Sequence, residues 1–194
     1  MRKNWAALAL TGMLCLTTFA GTQTVSAETA DSAKQVDIVF THDTHSHLNT
    51  FTTIVDEAEK EVGGFARINT LIQEQKAKNP DTMVIDGGDF SMGTLIQTVF
   101  ETQAAEIRML GYMGCDVTTL GNHEFDYRSK GLANMLNSAA ESGDNLPALV
   151  VCNVDWESME AAGLSEGQQL IRDAFDEYGV SDYVVLEKGD TDIA

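Results

Sequence analysis

Four short apolar runs, at 36–40, 83–85, 117–120 and 148–151, are separated by segments of helical periodicity, and the first three end in polar clusters. This rhythm constrains the chain more than any other feature. The intervening segments repeat apolar residues at three and four, as at Phe65, Ile68, Leu71 and Ile72, and again at Ile107, Met109 and Leu110. Asn79-Pro80-Asp81 stops the first helix, and Gly111 and Gly114 close the second. Further helices are expected over 132–140 and 170–178, a last strand over 183–186, and a hairpin in the final residues from Glu187. Strands alternating with helices in this way predict an α/β layered domain. Ligands in open α/β sheets bind beyond the carboxyl ends of the strands, so the polar clusters fall where a site belongs.

The first residues read as an address. Arg2 and Lys3 precede an uncharged apolar stretch over 5–20, and Val25-Ser26-Ala27 offers small residues for a signal peptidase. The stretch is short for a membrane span, which takes about 20 residues. A signal peptide over 1–27, a flexible lead-in over 28–35 and a domain over 36–194 follow, with secretion to the periplasm, cell surface or medium and no stable membrane insertion after cleavage. Cleavage removes two cations and no anion, moving the formal net charge from −18 to −20. So acidic a chain repels phosphate backbones, which excludes broad binding to nucleic-acid polymers. A small anionic substrate would need local cations, and carboxylate-held metals are one source. Cys115 and Cys152 are expected as buried thiols rather than a disulfide framework.

Three clusters carry chemistry. In His42-Asp43-Thr44-His45-Ser46-His47, Asp43 and His45 lie two apart and can share one cation from an extended segment. In Asp86-Gly87-Gly88-Asp89 the glycines allow a sharp turn, and a carboxylate there can bridge two metals. In Gly121-Asn122-His123-Glu124-Phe125-Asp126, Asn122 offers a carbonyl ligand, His123 stays free as an acid, and Asp126 can fix its tautomer. Each alone also reads as an ordinary polar loop, turn or cap.

Together and in this order, Asp43-x-His45, Gly88-Asp89 and Gly121-Asn122-His123-Glu124 resemble the calcineurin-like metallophosphoesterases. Gly63-Gly64-Phe65-Ala66-Arg67, Gly93-Thr94 and Cys152-Asn153-Val154 extend the likeness to the exported 5′-nucleotidase branch over about 36–155. The resemblance implies a four-layer α/β/β/α sandwich and two divalent ions, Mn, Zn, Fe or Mg. Asp43 and His45 would hold the first ion, Asp89 would bridge, and Asn122 would bind the second. His123, paired with Asp126, would contact the phosphate of a small substrate, a nucleotide or related phosphoester. The family adds histidines on later strands, whereas no histidine follows His123 here. The expectation is therefore the N-terminal part of such an enzyme, truncated after about half of its sandwich and inactive alone. A non-catalytic remnant, or a surface or binding protein, is the alternative. The Asp43-Thr44-His45-Ser46-His47 string also resembles TatD-type and PHP-type barrel hydrolases, a reading that would make His47 a ligand.

Overall fold

The computed structural model describes residues 35–194, so the signal over 1–27 and nearly all of the lead-in lie outside the described residues. Strand β1 (Ile38–Thr41) is followed by a hairpin of β2 (Phe51–Val55) and β3 (Ala58–Val62), which the sequence reading did not anticipate. Helix α1 (Phe65–Lys78) leads to β4 (Met83–Asp86). A 3-10 turn over Leu95–Val99 runs into α2 (Phe100–Gln103), and Ala104, in the left-handed region, separates it from α3 (Ala105–Tyr112). Then come β5 (Val117–Thr118), a 3-10 turn over His123–Phe125, α4 (Arg128–Glu141) and β6 (Ala148–Leu149). Helices α5 (Trp156–Ala162) and α6 (Glu166–Tyr178) precede a closing hairpin of β7 (Leu186–Lys188) and β8 (Thr191–Ile193). That hairpin is the one read from the final residues, beginning at Leu186 rather than Glu187, whereas the separate strand expected over 183–186 is not formed before Leu186.

Local chemistry accounts for the boundaries. Pro80 biases the preceding residue away from helix, and Asn79 is extended at φ −137°. Ser165 and Gln168 form a capping box at the start of α6, and Gly179 ends it at φ 84°. In α1 Phe65 and Ile72 are buried as expected, but Leu71 is 61% exposed, because the helix buries a narrower stripe than its apolar residues suggest.

Strands β1, β4, β5 and β6 form one parallel sheet in the order β1-β4-β5-β6. One face packs Val39, Val84 and Leu149 into a core with Phe65, Phe90, Phe100, Leu110, Leu132 and Leu136. Phe40, Ile85 and Val117, paired in register, point to the other face. Leu186 and Ile193 share a cavity of about 200 Å³ with Ile85 and Val117 there. Lys188 ties that hairpin to the foot of β5 through Asp116, 2.9 Å away. Both cysteines are free thiols. Cys115 is buried as expected, whereas Cys152 is exposed, because it lies past the end of β6 in a loop.

Parallel strands all end on the same side, so the loops after β1, β4 and β5 converge there.

Candidate metal centre

The first two loops are zipped together by backbone hydrogen bonds. The amides of Asp43, His45 and Ser46 donate to the carbonyls of Gly88, Asp89 and Phe90 at 3.0, 3.1 and 2.7 Å. Asp43, His45, Ser46 and Asp89 all have positive φ, between 43° and 55°. Such backbone costs roughly 1–3 kcal/mol per non-glycine residue and persists only when its surroundings over-determine it. The cross-loop bonds are that constraint.

The second and third loops interlock through glycine. A side chain at Gly88 (φ 84°) would come within 2.6 Å of the Gly121 amide, and one at Gly121 would overlap the Asp89 carboxylate. Glu124 then staples the two turns. Its fully buried carboxylate accepts from the amides of Asp89 (3.0 Å), Gly121 (2.7 Å) and Ser91 (3.0 Å), and from Ser91 Oγ (2.8 Å). The sequence reading quoted Glu124 in a motif but assigned it no task. A carboxylate in a polar turn reads as solvated until the fold shows what it faces.

On this scaffold Asp43, His45 and Asp89 each offer a ligand atom, all within 4.8 Å of one another. His45 Nδ1 lies 3.1 Å from the Ser91 carbonyl, a partner that takes its proton and leaves Nε2 with a lone pair. That Nε2 is 3.5 Å from Asp43 Oδ1. The hydrogen bond from His42 Nδ1 to Asp43 Oδ2, with His45 nearby, holds the Asp43 carboxyl below its ordinary range. Asp89 Oδ1 accepts from the His123 amide at 2.9 Å, while its Oδ2 meets the Asn122 side-chain amide at 3.1 Å. Oxygen-first, that amide sets acceptor against acceptor, an arrangement a shared cation relieves; nitrogen-first, it donates to the carboxylate. Two carboxylates, an imidazole nitrogen and a carbonyl oxygen fit a divalent cation.

His123 Nδ1 lies 2.8 Å from Asp126 Oδ2, the pairing expected from the sequence. This hydrogen bond raises the His123 pKa above its ordinary value, and the charges of Asp126, Asp89 and Glu124 add to it. The His45 and His123 rings meet edge to face, 5.1 Å between centroids. His47 stands apart from the three-residue ligand cluster. Its Nδ1 is 3.2 Å from the Thr44 carbonyl and its ring packs on Phe51. Beneath the first loop, Ser46 Oγ donates to Glu106 Oε1 at 2.7 Å, and both residues are fully buried. Burial, and secondarily the charge of Glu124, raises the Glu106 pKa. Asp86 is likewise structural, accepting from Thr41 Oγ1, Thr118 Oγ1 and the Gly88 amide.

Residues 36–190 match the sequence profile of the calcineurin-like phosphoesterases. A probable 5′-nucleotidase of Treponema pallidum is 33% identical over 107 residues, 53% of this chain and 18% of its own length. A 5′-nucleotidase-related protein of Glossina morsitans morsitans is 29% identical over 187 residues, 92% of this chain and 32% of its own. Among solved structures, a 5′-nucleotidase precursor from Thermus thermophilus superposes with a TM-score of 0.60 at 26% identity, over 81% of this chain and 27% of that one. The chain thus spans less than a third of the length of these relatives.

Proposed function

The chain belongs to the calcineurin-like phosphoesterase family, and from that premise we propose that its three converging loops are the metal- and phosphate-binding part of a hydrolase acting on nucleotides or related small phosphoesters. The carrying observation is the cluster of Asp43, His45 and Asp89, with their ligand atoms within 4.8 Å. The names of the relatives, 5′-nucleotidases among them, support the substrate class. A formal net charge of −18 disfavours a polymeric nucleic acid in its place.

Asp43 and His45 would hold one ion, Asp89 would reach both, and Asn122 would belong to the second. Mn, Zn, Fe and Mg all suit these donors. Two bound cations supply Lewis acidity toward phosphoryl oxygens and lower the pKa of a bound water toward neutrality. His123, protonated more readily because Asp126 faces its Nδ1, would donate a proton to the departing ester oxygen. The balance is hydrolytic: water adds to phosphorus, the ester P–O bond breaks, and alcohol and phosphate leave. Metal and phosphate binding, rather than turnover, is what these four donors are expected to sustain by themselves. Among the described residues no helix is long and apolar enough to cross a membrane. We place the site outside the cytoplasm, on the strength of the signal read at 1–27.

Equilibrium dialysis of the purified chain against Mn²⁺, followed by elemental analysis, tests the assignment. Bound metal should be retained by the parent and lost in Asp89→Asn, while His123→Ala should keep it. Metal retention in Asp89→Asn at parental affinity would overturn the bridging role.

A further inference from the structure

The ligand His45 is gripped from several directions, and much of the grip passes through its neighbour. Its own amide donates to the Asp89 carbonyl at 3.1 Å, and its Nδ1 faces the Ser91 carbonyl. Gly93 lies flat against it, since a side chain there would overlap the His45 carbonyl. Ser46 follows, fully buried, in the left-handed region at φ 55°. Each polar group of Ser46 is tied to a distant segment. Its amide donates to the Phe90 carbonyl at 2.7 Å, and its carbonyl accepts from Thr94 Oγ1 at 2.6 Å. Its hydroxyl donates to Glu106 Oε1, also at 2.7 Å.

Glu106 sits in the first turn of α3, a helix packed into the core through Ile107 and Leu110. It is fully buried, and its Oε2 has no partner among the described residues. A buried carboxyl with so few bonds is worse for folding than an apolar side chain of similar size. Among the described residues, the Ser46 hydroxyl is the one side chain that Glu106 hydrogen-bonds. Stability alone therefore does not account for a glutamate here, whereas a task at the first loop does.

We propose that Ser46 and Glu106 are positioning residues of the metal centre: the Glu106 carboxyl, presented by a core-packed helix, holds the Ser46 hydroxyl and so fixes the backbone that aims His45 Nε2 at the ion. The inference rests on the proposed metal centre and adds what sets the direction of its first imidazole ligand. Neither residue is itself a ligand. Without their bond, the strained backbone of His45 and Ser46, at φ 43° and 55°, is free to relax toward ordinary dihedrals. The imidazole then turns away from Asp43 and Asp89.

The test is equilibrium dialysis of the full chain against Mn²⁺, with urea melts of the same proteins free of metal. Ser46→Ala and Glu106→Leu should each bind Mn²⁺ about tenfold more weakly, as when the partners behind metal ligands are removed. The double variant should bind no more weakly than either single one, because both cut the same bond. Glu106→Gln keeps an acceptor for the Ser46 hydroxyl and should retain parental affinity. If the melts show that Glu106→Leu does not fold, Ser46→Ala against Glu106→Gln decides the question. Parental affinity in Ser46→Ala would overturn the positioning role and leave the metal centre standing. So would a Glu106→Gln variant that binds as weakly as Ser46→Ala. If the parent itself retains no Mn²⁺, the metal centre falls and this inference falls with it.

Discussion

Asp89 has its carboxylate placed by neighbours on the third loop. The Glu124 carboxylate holds its amide, the His123 amide holds one of its oxygens, and Gly121 leaves the space it occupies. Gly121→Ala adds a single methyl that must overlap Asp89. Metal affinity should fall at least tenfold, with a loss of about 1–3 kcal/mol of stability as for overpacked sites. Dialysis with elemental analysis and a urea melt read the two effects separately. Glu106 supplies a pH dependence. Burial raises its folded-state pKa above the ordinary value of 4.5, so the neutral acid is the form that folding favours. Its stabilising contribution is complete below 4.5 and is lost as pH rises through the folded-state value. Glu106→Gln removes this titration. The stability of the parent relative to that variant should therefore decline between about pH 4 and pH 7, by urea melts at both pH values. A difference that stays constant with pH would mean that Glu106 is charged in the folded protein.

At the scale of elements, the site depends on strand ends that helices hold in place. Helix α6 packs against the α4 side of the core through Ala174 and Phe175, and Trp156 of α5 meets Phe175 edge to face. Arg172 lies over the Trp156 ring and reaches Glu160, binding the two helices together. The first turn of α6 is closed by Ser165 and Gln168. Ser165→Ala should cost about 1 kcal/mol, read as a lower thermal midpoint with metal binding unchanged. Gln168→Ala should cost part of the same amount and combine non-additively with it, because both serve one capping box. The β2–β3 hairpin is the contrary case. Its residues are mostly exposed, so no alternation of buried and polar positions announced it, and its β-branched run Thr52-Thr53-Ile54-Val55 was the available signal.

At the scale of the whole molecule, the parallel sheet is apolar on both faces, as parallel sheets are when both are covered. The helical face is buried, but on the other face Ile38 is 54% and Phe40 60% exposed. β1 is also an edge strand, so these side chains sit where chains pair edge to edge. Ile38→Lys should therefore reduce light scattering of concentrated protein while shifting stability by less than about 0.5 kcal/mol. Scattering that persists unchanged would place the sticky surface elsewhere. By itself the sequence determined the order of the four parallel strands and of helices α1, α3, α4 and α6, since short apolar runs and periods of three to four record which side of each element is apolar. It also determined that the three polar clusters meet, because Asp-x-His, Gly-Gly-Asp and Gly-Asn-His follow strands that must end on one side of a parallel sheet. Only the tertiary structure decided that Glu124 and Glu106 lie buried beneath the site, that Cys152 is exposed, and that Phe51 and His47 form a wall beside Asp43. Those properties depend on what faces a residue from distant parts of the chain, and no local pattern encodes the neighbour that folding brings to it.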